Sequence, residues 1–161
     1  QKALAGNYKL GAKLVRGAYM EKERARAAAK NYEDPIQKNK KETDEDYDAA
    51  LDYCVANIAD ISICAGTHNE NSSMHLVNLM AQHGIASNDR RVYFSQLLGM
   101  SDNLSYNLSE AGYNVAKYVP YGPVKKVLPY LFRRAEENTA IAGQMGRELS
   151  LIVAEQRRRK G

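Results

Sequence analysis

Four short apolar runs, each followed by a stretch with helical spacing, constrain this chain more than any other feature. The runs cover 12–16, 61–65, 92–96 and 115–119. Strands alternating with helices demand a parallel sheet whose helical crossovers lie outside it. The predicted class is therefore α/β, and four β/α units make half of an eight-stranded (β/α)8 TIM-type barrel. An isolated half would leave two unpaired strand edges and a half-open core. The expectation is a fragment, or a chain that pairs with something supplying the other half; the residues leave that choice open.

The segments between the runs carry their own signals. Met20–Lys30 is rich in Ala, Glu, Lys and Arg and reads as a helix. A polar loop over 31–41 follows, with Asp34-Pro35 as its turn. Thr43 is the expected cap of a helix that places Tyr47, Ala50, Leu51, Cys54, Val55 and Ile58 on one stripe. The run 61–65 reads as a strand buried on both faces. Asn69 or Ser72 caps the next helix, which is expected to bury Met74, Val77 and Met80 and to stop at Gly84. A short helix falls within 102–110, and a last one over 141–157 aligns Met145, Leu149 and Val153.

The stretch 118–138 is the richest in chemistry. It reads as a strand end at Val119, a turn over Pro120–Gly122 and a helix opened by Pro123, whose missing N–H has no partner at that position anyway. Val124, Val127, Leu128, Leu131 and Ala135 form a packing stripe. Tyr130, Arg133, Arg134 and Glu137 share a second face, about 130° from the first. Two adjacent guanidinium groups beside an aromatic ring make a carboxylate clamp, because each planar fork binds a carboxylate through parallel hydrogen bonds. The competing reading is a solvated face in which Arg133 and Glu137 form an i,i+4 pair.

Composition narrows the function classes. At 44% hydrophobic and 26% charged residues, the chain is globular in type. Its net charge of +4 is concentrated in Arg157, Arg158, Arg159 and Lys160, and no nucleic-acid motif accompanies it. That tail is a solvated run or a contact for anionic lipid head groups, at about 1 kcal/mol per charge. Cys54 and Cys64 form no CxxC pair and are expected in the core as free thiols, which fits a reducing compartment. His75 and His83 have no carboxylate or cysteine at ligand spacing, so no metal site is expected. There is no GxGxxG segment for a nicotinamide cofactor, no signal-peptide pattern at Gln1, and no stretch of ~20 apolar residues for a membrane span.

Five motifs occur in order: Lys-Leu-Val-Arg-Gly-Ala-Tyr at 13–19, Thr-His-Asn-Glu at 67–70, Phe-Ser-Gln-Leu-Leu-Gly-Met at 94–100, Lys-Tyr-Val-Pro-Tyr-Gly at 117–122 and Tyr-Leu-Phe-Arg-Arg-Ala-Glu-Glu-Asn at 130–138. With them the chain resembles the FAD-dependent proline dehydrogenase family, over nearly all of its length. The resemblance implies that residues 1–161 are the C-terminal half of the catalytic barrel, its last four β/α units, with 139–161 a terminal helix and basic tail. The activity implied is oxidation of L-proline to Δ1-pyrroline-5-carboxylate, by hydride transfer to flavin N5 with electrons passed on to a quinone. Peripheral attachment to an inner membrane follows, on the bacterial cytoplasmic face or the mitochondrial matrix side.

The resemblance also assigns residues. Arg133 and Arg134 pair with the proline carboxylate, Tyr118 and Tyr130 pack on the pyrrolidine ring, and Leu98 and Tyr19 complete the wall. Lys13 and Val15 lie against the isoalloxazine ring, with Gly17 just past that strand's end. Arg16 meets the pyrophosphate. Thr67, His68 and Asn69 contact the flavin or its ribityl–phosphate chain, Gln96 the pyrimidine edge, and Glu137 the adenosine end or the arginines. A third cation, a lysine, and an aspartate that orients the tyrosines belong to an earlier strand outside this sequence. Tyr118 fills the space a 4-hydroxyl needs, so proline is expected over hydroxyproline. The alternatives are a hydroxyproline dehydrogenase and a non-catalytic half-barrel assembly module. Without the family, His68 reads as a hydrogen-bonded structural histidine.

Overall fold

A computed structural model describes residues 2–17, 19–140 and 142–160, the side chains of 135–148 excepted. A short helix α1 (Lys2–Ala5) leads into β1 (Leu10–Val15), then α2 (Met20–Lys30), α3 (Lys40–Ala56), β2 (Ile61–Gly66), α4 (Glu70–Gln82), β3 (Val92–Leu97), α5 (Asp102–Glu110), β4 (Val115–Tyr118), α6 (Val124–Ala140) and α7 (Ala142–Lys160). The four strands form one sheet in the order β1-β2-β3-β4, every pair parallel. Among the described residues, β1 and β4 each have one neighbour.

The sheet is covered on one face. Ile63, Ala65, Val92 and Phe94 point into a core closed by Tyr47, Leu51, Cys54 and Val55 of α3, by Leu76, Leu79 and Met80 of α4, and by Leu108 of α5. Phe94 is fully buried and meets Tyr113 edge-on, with ring centroids 5.5 Å apart. Burying such a ring contributes about 1.5–3 kcal/mol. The opposite face carries Lys13, Cys64 and Tyr93 in one cross-strand row. The run 61–65 is therefore buried on one face, with Ser62 exposed and Cys64 half-buried. Small, weakly polar side chains on the second face gave it the look of a two-sided strand.

Other expectations shift in detail. The cap of α3 is Asn39, whose Oδ1 accepts from the Glu42 amide while the Glu42 carboxylate accepts from the Lys38 amide. This arrangement resembles a capping box and starts the helix one turn before Thr43. Asn69 caps α4, accepting from the Asn71 and Ser72 amides. That helix ends at Gln82 with His83 as its C-cap, and Gly84 just beyond takes φ +63°. Its buried stripe is Ser72, Ser73, Leu76, Leu79 and Met80, leaving Met74 exposed. On α6 the expected packing stripe is uncovered: Val124, Leu128 and Leu131 are exposed, while Val127, Tyr130, Arg133 and Arg134 are half-buried. On α7 Leu149 is likewise exposed, and the basic run is its last turn. Met145 lies outside the described side chains. Among the described residues, no helix is long and apolar enough to cross a membrane.

Candidate active site

The C-terminal ends of the strands border a cavity of about 260 Å3. Val15, Gly66 and Ser95 line it from one cross-strand row, and Leu97 and Tyr118 from the next. Gly66 lets the Val15 side chain and the neighbouring backbone pack closely over β2. A Cβ at Gly66 would sit 2.8 Å from Val15 Cγ1 and 3.1 Å from the Leu14 carbonyl oxygen.

Cations and rings are interleaved around β1, β4 and α6. Lys13 Nζ lies 4.8 Å from the Tyr118 ring centroid, and Tyr118 meets Tyr130 edge-on at 5.9 Å. Arg134 Cζ lies 5.2 Å from the Tyr130 centroid, and Arg133 Cζ 5.6 Å from that of Tyr19. Lys13, Tyr118 and Tyr130 line the cavity; the arginines do not, and follow Tyr130 by one turn of α6. The Arg133 Nε is buried with no hydrogen-bond partner among the described residues.

The opposite side is a chain of hydrogen bonds. His68 lines the cavity, its Nδ1 3.0 Å from Ser101 Oγ. Ser101 is held in the left-handed region at φ +50°. The Ser105 hydroxyl lies 3.0 Å from Gln96 Oε1 and 3.1 Å from the Ser101 carbonyl oxygen, so its single proton serves one acceptor at a time. Gln96 Nε2 donates to the Thr67 carbonyl at 3.2 Å. Gln96 is 2% exposed, and both ends of its amide are engaged within the protein. Thr67 Oγ1 accepts from the Asn69 amide and from Arg16 Nη1.

Arg16 points to the helix layer. Its Nε donates to Asp44 Oδ1 at 2.7 Å, its Nη2 to Ser72 Oγ at 2.8 Å, and its Cζ lies 4.2 Å from the Tyr47 ring centroid. Burial is the largest influence on the Asp44 carboxyl and raises its pKa. Hydrogen bonds from Lys40 and Arg16, with their charges, outweigh it and hold the group below its ordinary value. Burial pushes the Tyr47 phenol well upward despite the nearby Arg16 charge.

The sequence-derived residues thus divide. Lys13, Val15, His68, Gln96, Tyr118 and Tyr130 line the cavity. Tyr19, Arg133 and Arg134 are not among the lining residues: Arg134 meets the ring of the lining Tyr130, and Arg133 meets the Tyr19 ring. Arg16, Gly17, Thr67, Asn69 and Leu98 are not among the lining residues, and Leu98 is 59% exposed. The neighbouring Leu97 faces the cavity, because side chains alternate along β3 and Leu97 is the register partner of Tyr118. Glu137 lies outside the described side chains. Sequence reasoning missed Gly66, Ser95 and Leu97, which strand alternation carried back from Tyr118 would have found.

A family model described as Proline dehydrogenase matches residues 1–147. The chain is 47% identical to proline dehydrogenase 1, mitochondrial, of Homo sapiens over 152 residues, which is 92% of this chain and 25% of that protein. It is 44% identical to hydroxyproline dehydrogenase of Xenopus laevis, over 92% of this chain and 33% of that protein. It superposes on proline utilization A from Bdellovibrio bacteriovorus with a TM-score of 0.76 at 27% identity, covering 85% of this chain and 14% of that one. The chain spans about a quarter of the length of the mitochondrial relatives it matches. With five motifs at consecutive strand ends and helices of one parallel sheet, and a family match over 1–147, the chain belongs to the proline dehydrogenase family.

Proposed function

We propose that this chain supplies the C-terminal four β/α units of a (β/α)8 barrel that oxidises L-proline to Δ1-pyrroline-5-carboxylate. The observation that carries this reading is that Tyr118 and Tyr130, which line the cavity at the C-terminal strand ends, meet edge-on, with the Arg134 guanidinium against the Tyr130 ring and Arg133 next to it on α6. Those strand ends are where β/α barrels hold their chemistry. An aromatic pair with two guanidinium groups suits a small ring bearing a carboxylate.

The residues present fit FAD. The row Val15–Gly66–Ser95 borders the cavity with small side chains at two of its three positions, which suits the face of a planar ring. Lys13 and His68 supply polar contacts beside it. FAD, when bound, supplies the acceptor for the hydride lost from the proline ring carbon beside nitrogen. The chain's own residues then do three things. Arg133 and Arg134 neutralise and orient the carboxylate, Tyr118 and Tyr130 fix the ring plane, and the aromatic walls exclude water. Gln96 acts by bracing the Thr67 turn through its amide. A quinone as the next electron acceptor, and peripheral attachment to the mitochondrial inner membrane, complete the proposal. The mitochondrial names of the relatives support that location.

Similarity to hydroxyproline dehydrogenases at up to 44% identity favours a second reading, oxidation of hydroxyproline. The Tyr118 ring in the wall supports proline. The test is anaerobic mixing of the full-length flavoprotein with either substrate. Bleaching of flavin absorbance by proline, faster than by hydroxyproline, is expected; no bleaching by proline overturns the proposal, and faster bleaching by hydroxyproline reverses the preference.

A further inference from the structure

We propose that Arg16 is a positioning residue, a clasp that fixes the Thr67–Asn69 turn and through it His68, and that it makes no contact with phosphate. The inference rests on the FAD reading above and deepens it.

Arg16 follows the last residue of β1, and side-chain alternation turns it away from Val15 and the cavity. Three of its N–H groups reach three separate elements: Asp44 of α3, the Thr67 hydroxyl beyond β2 and Ser72 in the first turn of α4. The acceptors Thr67 and Ser72 are 6% and 1% exposed. The guanidinium plane rests on Tyr47, which is itself buried. Drawing Arg16 toward an anion at the strand ends would leave Asp44 with Lys40 alone as its counter-charge, and would take one donor from each of two buried hydroxyls. Each loss carries a desolvation cost. Thr67 is the junction that passes the constraint on. Its amide donates to the Ser95 carbonyl, its carbonyl accepts from Gln96 and its hydroxyl accepts from the Asn69 amide. His68 lies between the two anchored residues. A lysine cannot replace this clasp, because a tetrahedral ammonium lacks the planar fork that stacks on Tyr47.

The test uses the full-length enzyme with Arg16→Lys, Arg16→Gln and Ser72→Ala. Amide hydrogen exchange at Asn69 is expected to speed up at least tenfold in both Arg16 variants and a few-fold in Ser72→Ala, while α5 amides keep wild-type rates. FAD affinity is expected to fall alike in Arg16→Lys and Arg16→Gln, and adenosine diphosphate, the probe for phosphate contacts, to bind both as it binds wild type. Unchanged exchange at Asn69 overturns the clasp. So does FAD binding restored by lysine together with weaker adenosine diphosphate binding in Arg16→Gln, the signature of a phosphate ligand. Should wild type bind no FAD, the cofactor reading falls, and the exchange comparison still decides the clasp.

Discussion

Lys13 and Tyr118 belong to the two outermost strands, yet the Lys13 ammonium lies 4.8 Å from the Tyr118 ring centroid. Three strand-to-strand steps span on the order of 14 Å in a flat sheet. Two long side chains reaching inward over β2 and β3 close that gap at the cavity. Removing the charge with Lys13→Met is expected to cost about 0.5–2 kcal/mol of Tyr118 placement. Proline KM in the full-length enzyme should rise accordingly, about 2- to 30-fold. Lys13→Arg keeps the cation over the ring and should retain most of the affinity. Steady-state kinetics that find Lys13→Met equal to wild type would make the contact idle.

Arg133→Lys and Arg134→Lys each remove a planar fork while keeping the charge. A charge-assisted hydrogen bond is worth about 1.5–3 kcal/mol, so kcat/KM for proline should fall about 10- to 150-fold per substitution. Flavin content should stay at the wild-type level. Pyrrolidine, which lacks the carboxylate, should be turned over equally by variants and wild type. A parallel loss with pyrrolidine would place the guanidinium groups elsewhere in the mechanism.

Tyr118→Ser opens the wall facing the substrate ring. Discrimination by such a wall is worth about 1–3 kcal/mol. The ratio of proline to hydroxyproline turnover should therefore drop about 10- to 200-fold. An unchanged ratio removes Tyr118 from the account of specificity.

Ser101 separates strain from hydrogen bonding. A non-glycine residue in the left-handed region costs about 1–2 kcal/mol. Ser101→Ala keeps that cost and loses the contact with His68, so the urea midpoint should fall. Ser101→Gly loses the same contact but relieves the backbone, so its midpoint should equal or exceed that of wild type. Equal midpoints for the two variants would contradict this.

The turn before β3 sets an acid limit. The Arg91 side chain, then its amide, hydrogen-bonds Asp89 and holds that carboxyl at about 2. A folded-state pKa below the unfolded one gives stability that is complete above the ordinary carboxylate value and lost as pH falls toward about 2. Asp44, also held low, acts in the same direction. Asp89→Asn should flatten the urea midpoint between about pH 4 and pH 2. An unaltered acid limb would show that the pair adds nothing.

The fold was legible where side chains alternate in size as well as polarity. Ile63, Ala65, Val92 and Phe94 announce a covered face, and Tyr47, Leu51, Cys54 and Val55 announce the helix that covers it. The one-sidedness of β2 was hidden, because Cys64 and Gly66 look apolar wherever they point. The site was legible at Tyr118, Tyr130, His68 and Lys13, whose chemistry stands out against a strand end. It was less so at Leu97, where only register distinguishes one leucine from its neighbour. Arg16 was not legible for a related reason: charge announces a partner without naming it, and the Asp44, Thr67 and Ser72 contacts come from three separate elements. The α6 stripe misled because rings and guanidinium stems supply that helix's inward contacts in place of aliphatic side chains.

Helix α6 carries both arginines yet leaves Val124, Leu128 and Phe132 facing solvent. Any apolar surface that settles on those side chains also sets the tilt of the helix and hence the reach of Arg133 and Arg134. By reciprocity, a carboxylate that draws the arginines inward tightens that seating by the same free energy. On the proposed reading, capture of a carboxylate by the arginines and burial of that apolar face are therefore coupled through one helix.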